Sequence, residues 1–418
     1  MTRPHTVEER CGMPVFVEAR TLPELPDRDS QIDDEGLPPG KRLRAGAARV
    51  DVTPAGPVAL QGYEGHNARP STEVHDPMYV RALVLDNGDE KMAFISWDKI
   101  RINGGVEVVA EIRHLINERT GIPPQNILIS VTHTHSSDGD VTAAPAVEAT
   151  VKAWENAKDA RIGVGSKMIY GIGSSRRRPE DGAGFWGSSQ PNPDGVTDNE
   201  CGVIRVEDEK RNIIAVVACY TAHPSVLDHN SMVISGDYAG IGTLEMEKRL
   251  GGDAVAMFLQ GCAGDVGTHT FRTSRTIPEA ERLGEKFAGE VLEILSHIDV
   301  SRWVRLAGKN KIIALPRKKS DKPIKLPLLE DGKSIADEIQ ALLVGETLII
   351  SLGSMEAYSE IGLAVKDASP FSHTFTLAYS NGQSLGYLPS PHAYSIVDPD
   401  VKTCHFAPEA PHILIEHA

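Results

Sequence analysis

Ile127-Leu128-Ile129-Ser130-Val131-Thr132-His133-Thr134-His135-Ser136 joins a β-branched, apolar run to two imidazoles spaced i and i+2. The apolar half has the composition of a buried core strand. Residues two apart on an extended chain face the same side, so both histidines are expected together where the strand runs out. Such a pair can bind a metal, bind it with one ring while the other moves protons, or serve as inert polar caps. Further ligand-type residues at comparable strand ends decide between these.

Outward from that stretch, strands and helices interleave. Tyr79 to Asp86 and Lys91 to Asp98 flank Asn87-Gly88 and predict a hairpin. Val106, Val109, Ile112, Leu115 and Ile116 mark one face of a helix over 105–119. Strands are predicted at 201–206, 213–220, 254–259, 347–352 and 374–379, and helices at 240–250 and 279–298. Hairpin-linked strands mixed with helix-separated ones predict an α/β fold with mixed β-sheets flanked by helices. The Pro- and acid-rich residues 1–43 carry neither period and read as an irregular arm able to wrap a neighbouring subunit, which makes a homo-oligomer an expectation. Residues 44–418 are expected to form one large domain.

The chain has 418 residues and a formal net charge of −15, which disfavours nucleic acid and anionic membranes as partners. No stretch reaches the length of a membrane span, so no stable membrane association is expected. Five cysteines without a CxxC pair argue against a disulfide framework and a zinc knuckle. A polar N-terminus without a signal-like apolar core adds to the expectation of a cytoplasmic protein with reduced thiols. No dinucleotide or phosphate-loop fingerprint is present.

Other strand ends repeat the theme of the histidine pair. Strand 213–220 runs into Thr221-Ala222-His223-Pro224, where proline stops the strand. Strand 347–352 is followed by Gly353-Ser354-Met355-Glu356, and the glycine lets the carboxylate turn inward. Strand 374–379 is followed by Ser380-Asn381-Gly382 and then Gly386-Tyr387-Leu388-Pro389. Donor groups at the ends of core strands are where α/β folds place their sites.

Gly62-Tyr63, His75-Asp76-Pro77-Met78-Tyr79, Thr132-His133-Thr134-His135-Ser136, His223-Pro224, Ser235-Gly236-Asp237-Tyr238, Gln260 to Asp265, Glu356 and Gly386-Tyr387-Leu388-Pro389 occur in an order that resembles the catalytic domain of neutral/alkaline, non-lysosomal ceramidases. The resemblance implies a zinc-dependent amide hydrolase with one Zn2+ per chain, held by His133, His223, Glu356 and Tyr387. It places Arg176, within Ser174-Ser175-Arg176-Arg177-Arg178, where the family has an Asn-Arg pair near the substrate, Ser175 replacing the asparagine, with a solvated basic loop as the alternative; beside a metal on His133, His135 is suited to stabilise an oxyanion or shuttle a proton, or else to support the ligands. Two imidazoles, a carboxylate and a phenol suit zinc, which activates water to attack an amide, ester or lactone carbonyl.

Three departures qualify the resemblance. Gly261 stands where the family has a serine after the glutamine, so no serine nucleophile is expected, and Cys262 reads as a structural thiol. No residue clearly replaces the family's further tyrosine beyond Tyr387, and no C-terminal immunoglobulin-like domain is expected. Aromatics at 5% offer little material for a lipid-extracting rim, which favours a small soluble substrate over ceramide. A lyase or isomerase acting next to a carbonyl, and a non-catalytic scaffold, are the alternatives. Asp98, Asp237 and Asp265 are expected to orient a histidine, or in the case of Asp265 to cap a helix.

Overall fold

β-Branched and apolar residues recur along twelve principal strands, and the computed structural model describes residues 42–63, 69–177, 189–319, 326–396 and 398–418. The arm of residues 1–43 lies outside these except for Arg42 and Leu43. Leu43 is fully buried, and its amide donates to the Arg302 carbonyl at 2.9 Å.

Eight strands form the main sheet: β1 (Arg44–Asp51), β2 (Tyr79–Asp86), β3 (Lys91–Trp97), β4 (Ile127–Val131), β5 (Lys158–Met168), β6 (Glu200–Asp208), β7 (Ile213–Tyr220) and β8 (Val255–Gln260). Their order is β8-β7-β6-β5-β1-β2-β3-β4. The β7/β8 and β3/β4 pairs are parallel and the others antiparallel, so the sheet is mixed, as the hairpin and crossover pattern predicts. The hairpin β2/β3 pairs Asp86 with Lys91 across a turn that begins at Asn87-Gly88.

Helices α1 (Gly105–Thr120), α2 (Ala143–Glu155), α3 (Asp237–Leu250) and α4 (Ile277–Ser296) pack on one face of this sheet. Ile95, Val84, Val216 and Phe258 meet Ile112, Val147, Met246 and Phe287 there. The opposite face, with Leu83, Phe94, Val217 and Met257, meets Leu342, Ile349 and Phe375 of a second sheet. That sheet has the order β9 (Leu306–Pro316), β10 (Ser334–Val344), β11 (Thr347–Ser351) and β12 (His373–Leu377). Strands β9 and β10 pair antiparallel, Leu306 opposite Val344 and Pro316 opposite Ser334. Helix α5 (Ser359–Ala368) packs beside β12.

The main sheet curls until its two edges approach. Ser96 Oγ on β3 donates to the Phe258 carbonyl on β8 at 2.6 Å, although β8 and β4 are the opposite edges of the sheet. The chain leaving β12 bridges the gap: Ala378 N donates to Gln260 O (3.1 Å) beyond one edge, and Asn381 N to Ile129 O (2.8 Å) on the other. Asn381 adds side-chain bonds, Oδ1 accepting from Ile129 N (3.0 Å) and Nδ2 donating to Gln340 (2.8 Å). Gly261 N donates to Tyr220 O at the end of β7 (2.9 Å), so the ends of β4, β7, β8 and β12 converge.

Candidate metal centre

Strand β4 stops at Val131, and His133 takes the left-handed conformation at φ 67. This differs from the sequence reading, in which continued extension puts the two imidazoles on one side. A turn does it instead, bringing the His133 and His135 ring centroids to 5.0 Å. His223 follows β7, its ring 4.7 Å from that of His133 and 5.6 Å from that of His135. The potential ligand atoms of these three histidines lie within 4.8 Å of one another.

Glu356 arrives from the second sheet. Gly353 turns the chain after β11 at φ 114, where a Cβ would strike the Asp337 carboxylate, and Asp337 accepts from Ser354 N at 2.9 Å. A short parallel ladder then pairs Glu356 with Tyr387, so the two residues are set by one backbone register. Glu356 Oε2 lies 3.4 Å from His133 Nε2 and 3.2 Å from His223 Nε2.

The tautomers follow from the other ring nitrogens. His133 Nδ1 is 2.7 Å from the Ile100 carbonyl, and His223 Nδ1 is 2.7 Å from the Ala263 carbonyl. A carbonyl only accepts, so both Nδ1 atoms carry hydrogens, and the neutral form of either ring presents its Nε2 lone pair inward. Burial, then the Arg176 charge, pushes His223 down to about 3, which keeps it neutral at pH 7. Three acceptors thus face one another inside the protein, an arrangement that fits a cation among them. Backbone carbonyls fixing the Nδ1–H of ligating histidines is a recurrent feature of metal sites.

His135 lies beside these rings, with both nitrogens buried and without hydrogen bonds. Burial, then His133 and His223, holds it well below its ordinary range, so it too is neutral. Arg176 reaches the cluster: its Nη2 is 3.3 Å from His223 Nε2 and donates to Tyr387 Oη (3.1 Å) and Gly264 O (3.0 Å). Arg177 turns away to Tyr358 Oη (3.1 Å) and Asp400, and Arg178 lies outside the described residues. Tyr387 is half-buried, and desolvation pushes its phenol up to about 12.

The aspartates depart from the expectation that they orient histidines. Asp98 pairs with Arg81 (2.6 Å), and Asp237 accepts from the amides of Val226, Leu227 and Tyr238. Asp265 accepts from Ser359 N (2.7 Å) at the start of α5, its capping alternative. Backbone carbonyls, rather than these carboxylates, hold the Nδ1 atoms of His133 and His223. Burial pushes the Cys262 thiol up to about 12, in keeping with a structural role.

Tyr379 was read as the end of a strand, but β12 ends at Leu377 and Tyr379 is left-handed at φ 54. Its ring lies 4.3 Å from that of His133. The signal available in sequence was its position two residues before Asn381-Gly382, a turn-forming pair. His269 is a half-buried imidazole that sequence reasoning missed; an added Cβ at Gly267 would come within 2.8 Å of its Nδ1 and 3.4 Å of Arg176. A cleft of about 780 Å3 runs alongside, lined by Ser175, Arg177, Asn192, Asp265 and Tyr358. Asn192 to Thr197 and Asn199 form part of its rim.

The neutral imidazoles make a pH prediction for the metal-free protein. The folded-state pKa values of His135 and His223 are depressed, so the native state binds fewer protons than the unfolded chain below pH 6.5. Their contribution to stability is complete above 6.5 and is lost as the pH falls toward the folded values. Each can change the folding equilibrium by up to about tenfold per pH unit. Urea midpoints measured in chelator at pH 7, 6 and 5 should fall, and the fall should be shallower for His135→Phe; equal slopes would refute the assignment.

No protein-family model matches the chain. Neutral ceramidase B of Dictyostelium discoideum is 24% identical over 261 residues, covering 54% of this chain and 35% of that protein. Neutral ceramidase A of the same organism is 23% identical over 234 residues, covering 47% and 32%. The matched region therefore spans about a third of these relatives. Among solved structures, a ceramidase complexed with C2 and the neutral ceramidase from Pseudomonas aeruginosa each align with a TM-score of 0.72 at 16% identity. They cover 90% of this chain and 74% and 73% of theirs. In sequence the chain is a relative of the neutral ceramidases, and it has the fold of their solved structures.

Proposed function

We propose that the chain is a zinc-dependent hydrolase of amides, ceramidase-like in chemistry, acting on a small soluble substrate. The observation that carries this reading is the meeting of His133 Nε2, His223 Nε2 and Glu356 Oε2 as three buried acceptors. His133, His223, Glu356 and Tyr387 would hold one zinc ion per chain. Bound there, the ion supplies a polarised carbonyl and a water whose pKa is lowered to around 7.

The surrounding side chains supply the rest. His135, neutral and with both ring nitrogens free, takes a proton from the attacking water and returns one to the leaving nitrogen. Water adds its oxygen to the acyl carbon, the C–N bond breaks, and a carboxylate and a protonated amine result, the amine nitrogen having taken up both protons of the water. Arg176 Nη2, anchored on Gly264 O and Tyr387 Oη, orients the acyl oxygen and favours the negative charge that builds on it.

Relatives named as ceramidases support amide chemistry. A small substrate is supported by the spread of exposed large apolar groups over the described surface, among them Tyr170, Trp303, Ile312 and Ile396 in separate segments of the chain. No helix among the described residues is long and apolar enough to cross a membrane. The buried thiols of Cys201, Cys219, Cys262 and Cys404 support a reducing, cytoplasmic setting.

The zinc-loaded protein, offered N-acyl amines from acetyl to palmitoyl in water enriched in heavy oxygen, should release short-chain carboxylates carrying one solvent oxygen. Conversion without solvent oxygen would replace hydrolysis by a lyase or isomerase. Turnover confined to long-chain ceramide in vesicles would overturn the small-substrate reading, and no turnover on any member would overturn the enzyme itself.

A further inference from the structure

We propose that Tyr379 is a catalytic residue of this site, its phenol hydroxyl donating a hydrogen bond to the substrate's acyl oxygen as negative charge builds there. The inference rests on the hydrolase reading above and adds a group outside its ligand and proton-transfer set.

The first support is an unanswered hydroxyl. Tyr379 is 3% exposed, and its Oη has no hydrogen-bond partner. Other buried tyrosines of the described residues are satisfied: Tyr238 donates to Ala222 O (2.7 Å), Tyr358 to Asp398 (2.9 Å), and Tyr220 accepts from Gly173 N (3.1 Å). A buried hydroxyl normally finds a partner because leaving it bare costs its desolvation. Here the missing partner is one that arrives with the substrate.

The second support is position. The ring lies 4.3 Å from that of His133 and stands edge-on to His223 at 5.9 Å. Among the groups whose charge acts on the phenol are Glu356, Tyr387 and Arg176, which line the same centre. Tyr379 thus borders the centre, beside the rings that would hold the metal and the arginine that would hold the acyl oxygen.

The third support is how the residue is held. A bulky side chain at φ 54 is unusual and persists where the surroundings fix it. Val131 N donates to Tyr379 O (3.2 Å), and Tyr379 N donates to Met355 O (3.4 Å). Its backbone is therefore tied to the segments that deliver His133 and Glu356, and the phenol keeps station with both. A donor fixed before the reaction needs no reorganisation when charge develops.

Tyr379→Phe keeps the ring and deletes the donor. In the zinc-loaded protein it should retain about one metal per chain, melt no lower than wild type, hold KM within about threefold and lower kcat on the preferred acyl amide about 100-fold. It should also weaken binding of acetohydroxamate, read by calorimetry, about tenfold. Unchanged kcat overturns the proposal, and so does loss of zinc, which would make Tyr379 a ligand rather than a donor. If the wild-type protein hydrolyses no acyl amide, the hydrolase reading fails by itself; the acetohydroxamate comparison still reads Tyr379, and equal affinities would end its donor role.

Discussion

His133→Ala and His223→Ala should each abolish metal binding: elemental analysis of the wild type should give about one zinc per chain, and of either variant close to none. Each ring offers a buried Nε2 to the same Glu356 oxygen, at 3.4 and 3.2 Å. Removing one leaves an incomplete set whose remaining members cannot rearrange, since their Nδ1 atoms are fixed on backbone carbonyls. Amide hydrolysis should fall roughly a thousandfold or more, the rate equivalent of several kcal/mol of lost Lewis-acid stabilisation. Full zinc occupancy in either variant would break the ligand assignment.

A comparable loss, of stability rather than of metal, is expected from Arg177→Met. Arg177 is buried and ion-paired with Asp400, and it donates to Tyr358 Oη and to the Gly264 carbonyl. Methionine fills much of the volume but leaves Asp400 buried without its countercharge, and burial already pushes that carboxyl up. Breaking one side of a buried pair costs about 3–5 kcal/mol. Urea denaturation should show this as a lower midpoint with an unchanged slope. The double variant Arg177→Met/Asp400→Leu should recover part of the loss, and a single variant as stable as wild type would show the pair to be energetically idle.

Local pattern made much of the architecture legible. The β2/β3 hairpin followed from two apolar runs around Asn87-Gly88, and the mixed sheet from combining that hairpin with helix-separated strands. His133, His223 and Glu356 could be singled out because each follows a strand whose apolar run stops abruptly, and the structure brings these three together. Arg176 likewise reaches the cluster, while its neighbour Arg177 serves the Asp400 pair; adjacent identical residues give pattern nothing to separate them by.

What stayed hidden depends on long-range geometry or on single dihedrals. The curl that brings β8 toward β4 arises from accumulated strand twist, which residue types do not record. His133 and His135 do converge, but by a left-handed turn rather than by strand alternation. Tyr379 was hidden by the same kind of turn, since two more extended residues after Leu377 were the natural continuation of β12. Asp98, Asp237 and Asp265 showed the right residue type in the right neighbourhood, yet arginine and backbone amides claimed them.

The approach of the two sheet edges has a mechanical consequence. His133 hangs from β4 at one margin, His223 from β7 next to the other, and Glu356 from a separate sheet, so an ion gripped by all three acts as a clasp across a seam that hydrogen bonds close only in part. Amide exchange at Ile129, Ala378 and Asn381 then becomes a gauge of whether the clasp is fastened, slowing on zinc addition while the distant β5/β6 ladder keeps its pace.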